Sequence, residues 1–154
     1  AYQAIRWRIL ILIFAMLAVG TAMEKTGAAM LIIRQVTDLA AGLGPVALLA
    51  AVYFVAMVLT ELISNNAVAI LLTPIAIGIA GELGVDPRPF VIAVLFAASA
   101  SFSTPIGYQT NTFVYNAGGY RFVDFVKVGL PLNLLFWAVA TLVIPLFWPL
   151  HGPG

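Results

Sequence analysis

The sequence predicts an all-α integral membrane protein, built from spanning helices plus a re-entrant helical hairpin and a broken helix. Three observations carry this. Of 154 residues, 63% are hydrophobic and 8% are charged, where a soluble domain carries roughly 25% charged residues. The mean hydropathy is +1.09, so no water-soluble surface can be drawn. Two polar islands, Glu61–Asn66 (ELISNN) and Ser101–Asn111 (SFSTPIGYQTN), each interrupt an apolar stretch. In a bilayer, non-helical backbone is tolerated only where protein buries it or where it lines a cavity.

Each segment has its own reason. Residues 5–22 are a first span, behind Arg6 and Arg8; no small-residue cleavage site follows, so the span reads as retained. Glu24, Lys25 and Gly27 mark its exit. Residues 28–41 place Arg34, Gln35 and Asp38 at helical spacing among apolar residues, which suits an interfacial helix. Gly42, Gly44 and Pro45 break the chain. Residues 46–80 form the re-entrant hairpin with its tip at Ser64-Asn65-Asn66. The reason is length: the apolar run 67–80 would rise about 21 Å as a helix, short of the ~30 Å a crossing needs. Asp86, Pro87, Arg88 and Pro89 make an exposed turn. Residues 90–118 are the broken helix, interrupted from Ser101 to Thr110. Phe122–Lys127 lead into a last span, 128–148, in which Trp137, Phe147 and Trp148 are expected as interfacial anchors. Thr73-Pro74 is expected to kink its helix.

The absence of cysteine excludes disulfides and thiolate metal sites. The net charge of +1 argues against a nucleic-acid partner. No His or Lys lies at membrane depth beside a Ser, which argues against an intramembrane hydrolase. A channel would need a continuous pore of repeated ligands. A scaffold would need no buried Glu and no polar tips.

The islands suit a binding site. Two apolar segments broken near their middles by hydroxyl, amide, Gly and Pro residues are the sequence sign of a transporter's substrate site. Helix ends near Ile63 and Ala100 offer carbonyls to a cation. Helix starts offer N–H groups and a positive dipole end to an anion. Thr104-Pro105-Ile106-Gly107 keeps the backbone out of helix, and Asn111 is expected as an N-cap. Glu61 is the one ionisable residue deep in an apolar stretch, hence a coupling candidate, with a purely structural role as the rival reading.

LTELISNNAVAILLTPIAIGIA resembles the signature hairpin of the divalent anion:sodium symporter (DASS) family, within the ion transporter superfamily. Thr60, Glu61, Ser64 and Asn65 match its pattern, with Asn66 where the family usually has Thr. ASFSTPIGYQTNTFVYNAGGYRFVDFVKVGLPLNLL resembles the broken helix that follows, and AMLAVGTAMEKTG the helix before. The similarity is greatest to bacterial permeases with TrkA-C domains, and to related sulfate transporters. The resemblance implies one inverted repeat of a secondary transporter, the C-terminal half of a longer polypeptide whose N-terminal repeat supplies the matching half-site. It implies that Ser64, Asn65, Asn66, Thr104, Pro105 and Asn111 meet the substrate. Ser64, Asn65, Ser103, Thr104, Gly107 and Thr110 would surround a coupling Na+. The expected partners are a small anion, the lipid bilayer and a second copy of the full-length protein, in the inner membrane of a bacterium. Asn66 and the bulkier Tyr108-Gln109 shift the expected substrate from a dicarboxylate toward a sulfate-like oxyanion. A proton- or metal-coupled citrate or arsenite carrier is the rival within the class.

Overall fold

The computed structural model describes residues 42–150, together with Ala18, Ala22, Lys25, Thr26, Gly27, Leu31, Gln35 and Asp38. The N-terminal bound expected for the first span and both bounds expected for the interfacial helix lie outside the described residues; Lys25, expected at the exit of the first span, is helical. Ala18, Ala22, Lys25, Leu31, Gln35 and Asp38 are helical. Five bounded helices follow: α1 (Pro45–Thr60), α2 (Asn65–Leu83), α3 (Arg88–Ser99), α4 (Gln109–Gly118) and α5 (Phe122–Phe147). Among the described residues there is no strand.

Helix α1 starts with Pro45 at its first position, where a missing N–H costs nothing. Leu48, Leu49, Val52, Tyr53, Ala56, Met57 and Thr60 are buried, one stripe at i, i+3, i+4 spacing. The opposite face is apolar too, with Phe54, Val55 and Val58 exposed, as expected of a helix facing lipid or another protein segment. The chain turns through 61–64, and Ser64 caps α2 by accepting the Ala67 N–H at 3.3 Å. Helix α2 ends where Gly84 turns left-handed at φ 65°. The Val85 N–H then reaches back to the Ala80 carbonyl at 3.0 Å, a Schellman closure that only glycine accepts without strain. Asp86 accepts the Arg88 N–H at 2.9 Å and so opens α3. Helix α3 lies against both α1 and α2 more extensively than those two meet each other. Ala93, Ala97 and Ala98 on α3, Ala56 on α1, and Ala76 and Ala80 on α2 are all buried in this core; small residues let apolar helices approach closely.

Five expectations change. The second arm of the hairpin is not 14 residues long. Helix α2 has 19 residues, about 28 Å at 1.5 Å per residue, long and apolar enough to cross a membrane, as is α5. Gly81 and Glu82 do not stop it, because the left-handed turn comes only at Gly84. Asn65 and Asn66 lie in its first turn rather than in the tip. The lead-in 122–127 and the last span are one helix, opened by Asp124 accepting the Arg121 N–H at 2.8 Å. Asn111 is not an N-cap: α4 begins two residues earlier with Tyr108 in the cap position. Trp137 is not free to sit at an interface, since its indole N–H donates to the Ala50 carbonyl at 2.9 Å and its ring meets Phe54 edge-on. It docks α5 onto α1.

Pro74 lies inside α2, and Thr73 donates to the Ala69 carbonyl one turn back.

Candidate functional site

The turn 61–64 and the non-helical stretch 100–108 meet at Glu61. The residue is 8% exposed. Oε1 accepts the backbone N–H groups of Phe102 and Ser103, both at 2.9 Å, and the Asn133 amide at 2.7 Å. The Ser101 hydroxyl stands 3.4 Å from both Oε2 and the Thr60 carbonyl. The Glu61 carbonyl accepts the Thr104 hydroxyl at 2.9 Å, and Thr104 Oγ1 in turn accepts the Gly107 N–H at 3.2 Å. A charged acceptor with several N–H donors makes hydrogen bonds worth about 1.5–3 kcal/mol each. That is how a carboxylate can be kept in an otherwise apolar setting.

A second set of bonds shapes the loop. Asn111, from the first turn of α4, donates to the Ser101 carbonyl at 2.8 Å and the Thr104 carbonyl at 3.1 Å. Thr112 donates to the Pro105 carbonyl at 2.7 Å. Thr60 Oγ1 lies 2.8 Å from both Asn65 Oδ1 and the Ala98 carbonyl, so its single proton is shared between the start of α2 and the end of α3. Gly107 allows the tightest approach. A Cβ there would lie 2.8 Å from the Thr60 carbonyl oxygen and overlap Ser101 Oγ.

Four helix ends therefore converge. The C-terminal ends of α1 and α3 bring partial negative charge, and the N-terminal ends of α2 and α4 partial positive charge. The oxygens on offer are hydroxyl, amide, carbonyl and one carboxylate. Among the described residues no three His, Cys, Asp or Glu side chains gather. Such an oxygen set suits a hard cation over a soft transition metal.

Of the residues singled out from sequence, Glu61, Asn65, Ser103, Thr104, Pro105, Gly107 and Asn111 lie in this network or at its edge. Ser64 and Asn66 are exposed beside it, as is Thr110 on α4. Asn133 on α5 was not singled out. It is 2% exposed, donates to Glu61 and to Ser103 Oγ at 2.8 Å, and leaves its Oδ1 without a partner. An unfilled buried acceptor costs about 1–3 kcal/mol. The signal was present: Asn133 is the one amide in the apolar run 128–148.

Beside the site is an open cavity of about 420 Å³ between α4 and α5, bounded by Phe102, Asn111, Tyr120, Asp124 and Gly129.

Long apolar helices around a polar meeting point of helix ends suit a membrane transport protein. The comparisons with known proteins agree. The citrate transporter family (CitMHS) matches residues 1–84, and the chain belongs to that family. An uncharacterised transporter of Synechocystis is 43% identical over 147 residues, covering 96% of this chain and 24% of the relative. The uncharacterised transporter YfbS of Escherichia coli is 40% identical over 149 residues, covering 97% of this chain and 24% of the relative. Sodium/sulfate cotransporter 1 of Chlamydomonas reinhardtii is 36% identical over 144 residues, covering 92% of this chain and 16% of the relative. The chain thus spans about a quarter of the length of the first two relatives. The similarity to proteins named sodium/sulfate cotransporters agrees with the resemblance drawn from the hairpin and the broken helix.

Proposed function

We propose that this segment provides one half of the binding site of a secondary transporter that carries a small oxyanion, sulfate-like, together with Na+ by alternating access. The observation that carries this reading is the meeting of the two polar breaks at Glu61. Helix C-termini and neutral oxygens offer ligands for a hard cation, while the starts of α2 and α4 offer N–H groups and positive dipole ends for an anion. Ser64, Asn65 and Thr104 contact both ligands in this reading. In this reading Ser103, Gly107 and Thr110 complete the sodium shell, and Asn66, Pro105 and Asn111 the anion side. The re-entrant position of the hairpin rests on helix α1. It has 16 residues, about 24 Å, so it falls short of a full crossing. The second half-site would come from an inverted repeat elsewhere in the same polypeptide. The complete protein would be a multi-pass protein of a bacterial inner membrane, paired as a homodimer.

The test is uptake of radiolabelled sulfate by the complete transporter in proteoliposomes, with and without a sodium gradient, and with citrate as competitor. Sodium-driven sulfate uptake is expected. Ser64→Ala, Asn65→Ala and Thr104→Ala should each raise the sodium or sulfate concentration for half-maximal uptake by roughly three- to tenfold. That corresponds to one lost hydrogen-bonding ligand. Wild-type sodium dependence in all three would reduce both islands to turn chemistry. A citrate carrier is the second reading, favoured by the family match over residues 1–84. Citrate uptake that sulfate does not inhibit would select it.

A further inference from the structure

We infer that Asn133 is a positioning residue that holds the hairpin turn and the broken-helix loop in one fixed relation, and so sets the apparent affinity for the coupling cation. The inference rests on the proposed sodium coupling and deepens it. The amide stands between the two halves of the site. Its two N–H bonds go in different directions, one to Glu61 Oε1 in the turn and one to Ser103 Oγ in the loop. The orientation of the amide is fixed by its neighbours. Glu61 Oε1 already accepts the N–H groups of Phe102 and Ser103, so only the donor end of the amide can face it.

A residue kept for packing alone would not look like this. Leu132, Leu134 and Leu135 flank the position, and a Leu there would fit an apolar span and bury no amide oxygen. Asn133 instead buries an oxygen with no partner. The chain tolerates that deficit in exchange for two bonds that tie α5 to both breaks. Without the amide, Glu61 keeps its backbone donors and the loop stays attached to the turn. What is lost is the third contact, on α5, that fixes the angle between them. Ser103 Oγ also loses the donor that holds it in place, and Ser103 is one of the oxygens assigned to the cation.

The decisive experiment substitutes Asn133→Leu, which is close in size and apolar enough for membrane insertion, with Asn133→Ala as a second variant. Both are made in the complete transporter, in a cysteine-free background carrying Ile106→Cys on the exposed part of the loop. Two readouts are taken: sodium-driven sulfate uptake, and the sodium concentration that half-maximally slows maleimide labelling at position 106. The expected result is a roughly tenfold rise in half-saturating sodium in both readouts, the equivalent of one hydrogen bond to a charged group, with the maximal uptake rate within about twofold of wild type. A merely structural role would lower protein yield and maximal rate together and leave the sodium midpoint in place. An unchanged midpoint in the labelling of either variant overturns the inference. So does wild-type labelling that sodium does not affect. If sodium slows wild-type labelling with the expected shift in the variants, while no sodium-driven sulfate uptake occurs, the inference stands and the transport reading fails.

Discussion

Glu61→Leu is expected to destabilise the transporter by about 3 kcal/mol and to abolish uptake. The substitution removes the oxygen on which three donors converge: the backbone N–H groups of Phe102 and Ser103 and the amide of Asn133. None of these can follow the lost group, since two belong to the backbone of a non-helical loop and the third to a helix fixed by Trp137 on the Ala50 carbonyl. Each buried donor left without its acceptor costs about 1–3 kcal/mol in soluble proteins. The lower end applies here, because an unfolded chain inside a membrane also finds partners for its polar groups. Glu61→Gln separates the two roles that the residue could have. Its Oε1 can still accept all three donors, so it should retain most of the stability, with a thermal midpoint near that of wild type. If the charge serves cation coupling, Glu61→Gln should nonetheless lose sodium-dependent uptake. If the carboxylate is an anchor alone, Glu61→Gln should transport. Thermal unfolding of detergent-solubilised protein, paired with uptake, reads both. A Glu61→Leu protein as stable as wild type would show that the turn and the loop are held together by something other than this carboxylate.

The network was partly legible in the sequence. Glu61, Ser64, Asn65 and the 101–111 island stood out because each is polar against an apolar background, and the physics of a bilayer makes such residues costly unless used. That logic located the turn and the loop, and their contact follows from Glu61 having no other partner of comparable strength nearby in the chain. The same logic should have picked out Asn133, but a lone amide in a 21-residue apolar run carries no spacing signal, and its partners lie 30 and 72 residues away. Helix ends were legible only where a backbone device marks them. Gly84 and Gly119 end α2 and α4 with positive φ, whereas Gly81 reads as a stop by composition and is not one. A glycine inside a helix costs only about 1 kcal/mol, less than the packing of Ile79 and Ala80 returns. Trp137 misled for another reason. An indole is amphipathic, so sequence alone does not separate a headgroup partner from a carbonyl of the neighbouring helix.

Gly129→Ala is expected to cost about 2–3 kcal/mol and to reduce uptake severalfold at sub-saturating sodium, although alanine is the better helix former. Propensity alone favours alanine by about 1 kcal/mol in a helix interior. Against that, a Cβ at 129 would overlap the carbonyl of Phe102. The obstacle is backbone, so no rotamer change relieves it, and overpacking of this kind costs about 1–3 kcal/mol or more. The steric term wins, because relief requires moving either α5 or the loop. Either movement reaches the site. Gly129 and Asn133 are one turn apart on the same face of α5, so the missing side chain at 129 is what brings the Asn133 amide within 2.7 Å of Glu61. Pushing α5 back by the width of a methyl group would stretch that bond beyond hydrogen-bonding range and free Ser103. Gly107→Ala makes the useful comparison. Its Cβ would meet a serine hydroxyl that can turn away and a Thr60 carbonyl oxygen at 2.8 Å, so part of the strain can be relieved and a smaller loss is expected. Thermal midpoints measured for both variants should therefore fall in the order wild type, Gly107→Ala, Gly129→Ala. A Gly129→Ala protein more stable than wild type would mean that helix propensity outweighs the contact and that α5 does not press against the loop as described.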